Sequence, residues 1–250
     1  MGLEALSAAL RAAGYGAHLR EREPLAAHTS FAVGGPADLL LEADTLDELV
    51  SAVRLAGSEG VPWRVFGSGT NVLVADEGVR GLVIVNRCRR YAVGADGTLR
   101  AESGALLTEV ARAVSAAGWA GLAWAVGIPG TIGGAVVNNA GAYGGAMADR
   151  VRTVTVLDAT GQREVWGVER LAYAYRTSAL KSDPECGRSR IVLEAVLALE
   201  PGDREDLAAA VRHTEAQRAE RVPAGCCAGS VFKRTLQYPA GFLIEQAGLK

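Results

Sequence analysis

The sequence predicts a mixed α and β fold that opens with a small α/β unit, and three observations carry that expectation. Helix-spaced and strand-like apolar runs alternate over the first ~85 residues, with a glycine loop between strands. A hairpin pattern occupies residues 151–168. Between the two, 36 consecutive residues, Ala113 to Ala148, carry no charge, and nine of them are glycine.

Met1 to Ala13 reads as an amphipathic helix bearing Glu4 and Arg11, without the apolar stretch of a signal peptide. Thr45-Leu46-Asp47-Glu48 is a capping box, with Thr45 as N-cap and Glu48 reaching back to it. Leu46, Leu49, Val50, Val53 and Leu55 follow at roughly helical spacing, and Gly57 or Gly60 ends the helix. Val61 to Phe66 is a strand that runs straight into Gly67-Ser68-Gly69-Thr70-Asn71. A second apolar run, Val72 to Ala75, reads as the strand after that loop, and Gly81 to Val85 as another. Leu106 to Ala117 is helical, with Leu106, Leu107, Val110, Ala113 and Val114 on one face and Gly118 just past the end. Val151 to Asp158 and Arg163 to Val168 pair around a turn, and Arg190 to Leu199 is a further strand. Asp203 caps a long helix to about Glu220 with Asp206 in its first turn, and Pro239 to Leu249 forms a last helix closed by Gly248.

The charge-free run holds two dense pieces, Gly127-Ile128-Pro129-Gly130-Thr131-Ile132-Gly133-Gly134-Ala135 and Asn138-Asn139-Ala140-Gly141-Ala142-Tyr143-Gly144. Glycine loses the most backbone freedom on folding. Its concentration here therefore points to another gain, the close approach of backbone N–H donors to a ligand. An uncharged surface rich in N–H groups suits a large anionic cofactor with an apolar body, such as a dinucleotide. A membrane helix is the poorer reading, because Pro129, Asn138, Asn139 and the glycines break up the run. A flexible linker is poorer too, because such linkers lack residues like Trp119, Trp124, Ile128, Ile132, Val136 and Val137. The Gly67 loop is not the dinucleotide fingerprint, since Val72 stands at its sixth position and no helix opens there. Nor does a Gly-Lys-Ser/Thr follow, as a P-loop requires. Ser68, Thr70 and Asn71 add side-chain donors, as a phosphate site wants.

A net charge of −2 gives no electrostatic footprint for nucleic acid or an anionic membrane, so neither is expected as a partner. The short arginine pieces at 20–22, 87–90 and 188–190 read as solvated surface. Cys88, Cys186, Cys226 and Cys227 make no C-x-x-C, and His18, His28 and His213 are far apart, so no metal site is predicted. Reduced thiols fit a cytoplasmic protein.

Two further motifs follow: Tyr173-Ala174-Tyr175-Arg176-Thr177-Ser178 after the hairpin and Ala228-Gly229-Ser230-Val231-Phe232-Lys233 after the long helix. Ala-Gly-Ser lacks the flanks of a nucleophile elbow and has no histidine near it, so a Ser-His-Asp hydrolase is not predicted. Taken in order, the Gly67-Ser68-Gly69-Thr70-Asn71-Val72 loop, the Gly127–Val136 and Asn139–Gly144 pieces, Tyr175-Arg176-x-Ser178, Ala228–Lys233 and Ala240–Lys250 closely resemble the UDP-N-acetylenolpyruvoylglucosamine reductase family. Thr29-Ser30-Phe31-Ala32-Val33-Gly34-Gly35-Pro36-Ala37-Asp38 looks like that family's opening segment.

The resemblance implies an α+β fold, the FAD-binding fold of the vanillyl-alcohol-oxidase type. Two FAD-binding subdomains would span residues 1–88 and 89–200, and an incomplete substrate-binding domain residues 201–250. It implies FAD as cofactor and NADPH as reductant. The flavin would pass hydride to C3 of UDP-GlcNAc-enolpyruvate, giving UDP-N-acetylmuramate for peptidoglycan. Carried onto matching positions, FAD would be held by Gly67, Ser68, Gly69, Thr70, Asn71 and Val72. Gly127, Ile128, Pro129, Gly130, Thr131, Ile132, Gly133, Gly134, Gly141, Ala142 and Tyr143 would join them. Arg176 would stabilise the enolate, Ser230 would protonate C2, and Tyr175 and Lys233 would touch substrate. A monomer is expected. The short interval from Arg176 to Ser230 is similar to the family's compact type II form.

Three features depart from the family pattern. Lys233-Arg234-Thr235 stands where Lys-Asn-Pro is usual, placing Arg234 at a substrate-binding asparagine. Cys226-Cys227 replaces Pro-Ser before Ala-Gly-Ser. Family members continue past Lys250 with a further FAD-contacting segment and a glutamate that partners the arginine, so a C-terminally truncated reductase is the expectation. Two alternatives predict different chemistry. A protein that has lost catalysis would bind flavin without turnover, and an FAD-linked oxidase would be reduced by an alcohol and ignore NADPH.

Overall fold

The computed structural model describes residues 2–158, 160–183, 190–221, 225–227, 229, 232–233, 235 and 237–249. Cys186, Ala228, Ser230, Val231, Arg234 and Lys250, all named above, lie outside the described residues.

The chain opens with helix α1 (Gly2–Leu10), whose Leu6 and Leu10, four apart on one face, are fully buried. Strand β1 (Leu19–Pro24) and strand β2 (Pro36–Ala43) pair antiparallel. Helix α2 (Leu46–Ser58) starts at the predicted capping box: Thr45 accepts from the Glu48 N–H, and the Glu48 carboxylate accepts from the Thr45 N–H. Thr45→Ala should cost about 1 kcal/mol. It would be read as a lower denaturant midpoint at unchanged slope. Strand β3 (Trp63–Phe66) and strand β4 (Val79–Asn86) complete a sheet of order β1-β2-β4-β3 in which β2, β4 and β3 run parallel.

The middle strands are buried on both faces, so they read as unbroken apolar runs rather than alternations. Leu39, Leu41, Leu82 and Ile84 face α1 and α2. Leu40, Val83 and Val85 face Leu25 and Val74 on the other side. Val72 to Ala75 is not a strand, contrary to the sequence expectation. The neighbouring parallel strands β3 and β4 need a crossover, which no tight turn can supply. Residues 67–78 are that crossover and pass over the sheet face. Val74 sinks into the core there while Leu73 stays exposed.

The second half builds a five-stranded antiparallel sheet. Strand β5 (Tyr91–Val93), strand β6 (Thr98–Glu102), helix α3 (Leu107–Ala116) and strand β7 (Trp119–Ala120) come first. The charge-free run then folds into helix α4 (Ile132–Asn138) and a tiny hairpin, strands β8 (Gly141–Ala142) and β9 (Gly145–Ala146). Strands β10 (Val151–Leu157) and β11 (Arg163–Gly167), one-turn helices α5 (Val168–Leu171) and α6 (Ala179–Ser182), and strand β12 (Ile191–Ala198) follow. Strand β13 (Glu200–Pro201) pairs with β7, helix α7 (Arg204–Arg221) is capped by Asp203 as predicted, and helix α8 (Ala240–Gln246) comes last. The large sheet has the order β11-β10-β12-β6-β5. Its inner face packs on α3 and α4 through Leu99, Val110, Ile132, Val136, Val154 and Leu197. The ends of β10 and β12 also reach the first core, where Leu157, Ile191 and Leu193 pack with the residues beneath α1 and α2.

Among the described residues, no helix is long and apolar enough to cross a membrane. Cys88 is fully buried, and burial followed by the carboxylates of Glu102, Glu48 and Asp44 pushes its thiol up to about 12.

Candidate active site

The loop Gly67–Asn71 leaves the carboxyl end of β3, next to the carboxyl end of β4, where α/β sheets place their ligands. Among the described residues, none of its five backbone N–H groups has a partner within the protein. Unpaired backbone donors are expensive to bury and useful to an anion. No carboxylate stands between Trp63 and Ala75, so nothing in the loop repels one. The loop is braced from behind: the Gly69 carbonyl accepts from Ser30 N–H at 3.1 Å, and Thr70 Oγ1 donates to the Pro129 carbonyl at 3.3 Å.

The glycines serve two different purposes. Gly67 and Gly69 allow close packing of protein on protein. A Cβ on Gly67 would lie 2.6 Å from Thr131 Oγ1, and one on Gly69, where φ is +62°, 2.0 Å from the His28 carbonyl oxygen. Gly133 presses its helix onto Ser103 in the same way, and Gly127 lies under the Arg218 side chain of α7. The N–H groups of Ile132 and Gly133 donate to Ala105 and Ser103 carbonyls, so these two are not ligand donors, against the sequence reading of bare N–H groups through this run. Gly134 differs from all of them: it is exposed, and a Cβ there would meet only Thr131 Oγ1, at an ordinary 3.7 Å. Helix α4 is therefore bare of side chain at Gly134 on its exposed side. The Gly67 loop meets its start, where Thr131 caps it by accepting from the Gly134 N–H.

The other end of α4 holds the arginine motif. Ala174 and Thr177 exchange two backbone hydrogen bonds at 3.1 Å, closing a tight turn with Tyr175 and Arg176 at its centre. Arg176 sits at φ +56°, a left-handed position that turns normally give to glycine or asparagine. An arginine accepted there costs about 1–2 kcal/mol of backbone strain, so its side chain is what the position retains. The guanidinium lies 5.8 Å from the Tyr175 ring centroid, and Tyr175 itself is exposed. Three contacts tie the turn to α4 and the segment after it. Asn139 donates to the Ala174 carbonyl at 2.9 Å, buried Ser178 donates to the Val137 carbonyl at 2.7 Å, and Lys181 donates to Asn138 Oδ1 at 2.7 Å. The Gly141–Ala146 hairpin rests on Trp124, whose ring a Cβ on Gly145 would strike, and Tyr143 stands at its tip with φ +49°.

Lys181 gave no signal in the sequence. Its pKa is lowered by burial first, then by the charges of Lys233 and Arg176, so three cations gather at this end of α4. Ser230 lies outside the described residues, but Cys227, three residues before it, is tied. Cys227 exchanges backbone and side-chain hydrogen bonds with Ser30, which also holds the Gly69 carbonyl.

A hollow of about 280 Å³ opens beside the Gly67 loop, lined by His28, Ser30, Ser68, Asn86, Arg87 and Arg89 among others. Arg87 and Arg89, read from the sequence as plain solvated surface, are exposed but line this hollow. Arg87 is paired with Glu42 at 2.6 Å. A larger hollow of about 550 Å³ lies elsewhere, between α2 and Arg163 at the start of β11. No sequence-predicted site residue lines it, and its Arg54 is spent on the Gly161 carbonyl. The sequence-predicted residues gather instead around α4, with the Gly67 loop at its start and the Arg176 turn at its end.

A family model described as an FAD binding domain matches residues 37–166. The UDP-N-acetylenolpyruvoylglucosamine reductase of Chloroflexus aggregans is 42% identical over 235 residues, covering 93% of this chain and 79% of its own length. The crystal structure of the corresponding reductase from Thermus caldophilus superposes with a TM-score of 0.78 at 34% identity, covering 93% of this chain and 81% of that one. An alkyldihydroxyacetonephosphate synthase superposes at 0.59 with 18% identity, over 78% of this chain and 39% of that one, a likeness of fold alone.

Proposed function

The chain belongs to the UDP-N-acetylenolpyruvoylglucosamine reductase family, and from that premise we propose how its own residues divide the work. The fold is the FAD-binding fold of the vanillyl-alcohol-oxidase type, and the reaction is the reduction of UDP-GlcNAc-enolpyruvate to UDP-N-acetylmuramate in peptidoglycan synthesis. FAD, reduced by NADPH, supplies the hydride that C3 of the enolpyruvyl group receives. The observation that carries the assignment of roles is the polarity of α4, with an unpaired run of N–H donors at its start and a cluster of cations at its end.

In this reading Gly67 to Val72 bind the pyrophosphate of FAD. The free N–H run and the absence of acids support this, and Ser68 and Thr70 add hydroxyls. Gly127 to Gly134 and Gly141 to Tyr143 border the flavin ring, with Gly134 giving a smooth surface. The Arg176 guanidinium faces charge as it develops on the enolate oxygens, a fixed cation already in place before the reaction. Ser230 donates the proton to C2. A serine is a poor acid, so the alkoxide it leaves needs a cation near it, and Lys233 is three residues away in the chain. Tyr175 and Lys233 contact substrate, Lys233 at the diphosphate. Residues 1–88 and 89–200 are taken as the two FAD-binding subdomains and 201–250 as the substrate-binding part; the separate four- and five-stranded sheets support the first boundary. We also take the protein to be a cytoplasmic monomer, in keeping with free thiols at Cys88, Cys226 and Cys227.

Lys233→Met tests the substrate end. It should raise KM for UDP-GlcNAc-enolpyruvate about tenfold, as loss of one charge-assisted contact does, and leave KM for NADPH unchanged. An equal rise in both, or none, would remove Lys233 from the diphosphate site.

A further inference from the structure

We propose that Lys181 is a positioning residue: by bonding the Arg176 carbonyl and the Asn138 side chain together, it holds the strained turn that aims the Arg176 guanidinium. The inference rests on the enolate-stabilising role given to Arg176 above.

Among the described residues, the backbone bonds that close the turn at Tyr175–Arg176 are those between Ala174 and Thr177, and they leave the Arg176 carbonyl without a backbone donor. Lys181 Nζ fills the gap, donating to the Arg176 carbonyl at 3.0 Å and to Asn138 Oδ1 at 2.7 Å. Asn138 is itself fixed, its Nδ2 donating to the Gly134 carbonyl at 2.9 Å, so the chain of contacts runs from the body of α4 through a lysine to the arginine's own backbone. Ser178 sets the lysine's approach: its Oγ accepts from the Lys181 N–H at 3.2 Å while donating to the Val137 carbonyl. A non-glycine residue at φ +56° persists only where its surroundings over-determine it. Without Lys181 the left-handed conformation loses the hydrogen bond made to the Arg176 carbonyl. Lys181 is exposed overall, and its pKa is lowered by partial desolvation first and then by the charges of Lys233 and Arg176.

Lys181→Met, Lys181→Arg, Asn138→Leu and the Met/Leu double variant test this in the FAD-loaded protein by separating the two half-reactions. Flavin reduction by NADPH, FAD affinity and melting temperature should stay unchanged in Lys181→Met. Flavin reoxidation by UDP-GlcNAc-enolpyruvate should slow ten- to a hundredfold, as small misplacements of a catalytic group do. Lys181→Arg, which keeps the charge and donors, should lose less. The double variant should lose no more than Lys181→Met, because the two residues serve one contact. A crystal structure of Lys181→Met should show the Arg176 φ leaving the positive region. Unchanged reoxidation, or equal slowing of both half-reactions with a lower melting temperature, would overturn the proposal. Arg176→Met separates the two claims. If it slows reoxidation while Lys181→Met does not, only the positioning role fails; if neither slows it, the role of Arg176 fails as well.

Discussion

Arg176→Met is expected to leave flavin binding and its reduction by NADPH intact and to slow reoxidation by UDP-GlcNAc-enolpyruvate on the order of 10²–10³-fold, the usual loss when one preorganised donor to a developing oxyanion is removed. The prediction is selective because of where the residue sits. It stands at the end of α4 away from the Gly67 loop, on a turn anchored by Asn139, Ser178 and Lys181. Methionine inherits the same φ of +56°, so backbone strain is carried over rather than relieved, and stability should shift little. The contact with the Tyr175 ring is lost as well, but at 5.8 Å and exposed it contributes roughly 0.5 kcal/mol. Arg176→Lys should fall between the two, since an ammonium keeps the charge but not the planar fork that matches a carboxylate. Rapid-mixing absorbance under anaerobic conditions reads both half-reactions separately. Equal loss in both would mean that Arg176 acts on the fold or the cofactor and not on the substrate.

Two glycines that look alike in sequence should answer oppositely to alanine. Gly69→Ala places a methyl 2.0 Å from the His28 carbonyl oxygen at a φ of +62°, and backbone cannot swing aside as a side chain can. The left-handed penalty and the overpacking together cost about 2–5 kcal/mol. The loop that presents the free N–H groups would be displaced, so flavin should be lost with stability. Gly134→Ala adds a methyl in open space inside a helix, where alanine is favoured over glycine by roughly 0.5–1 kcal/mol. It should raise the denaturant midpoint of the flavin-free protein, while the added methyl, standing on the surface assigned to the flavin ring, weakens FAD binding. Denaturant titration with and without added FAD checks both. A stable, yellow Gly69→Ala protein would show that the loop is not seated as described.

This contrast also marks the limit of what the chain discloses before it folds. Elements with strong local signals were legible: the Thr45 capping box, the Asp203 cap, and the helix ends at Gly60, Gly118 and Gly248, all at positive φ. The glycine-rich run stood out in the sequence, but its helical form did not. Gly133, Gly134, Val136 and Val137 are weak helix formers, and α4 exists because Thr131 caps it and Ile132 and Val136, four apart, are driven into the core. Local pattern records none of that tertiary bias. Val72 to Ala75 has strand-like residues, yet the crossover from β3 to β4 claims it. Arg176 and Ser230 were named through motif resemblance, but Lys181 was not. Its partner Asn138 is 43 residues away, and only the packing of the turn on α4 makes the contact. Arg87 and Arg89 were likewise hidden, because a surface arginine and one lining a hollow look the same in sequence.

The central claim is that FAD held at the Gly67 loop serves a substrate bound against Arg176, Lys233 and Ser230. It is tested most directly by titrating the FAD-loaded protein anaerobically, first with NADPH and then with UDP-GlcNAc-enolpyruvate, while following the flavin band. The account predicts that the band bleaches with NADPH and returns in proportion to the enolpyruvyl compound added. A band that bleaches and never returns, or that fails to bleach with NADPH, would contradict it.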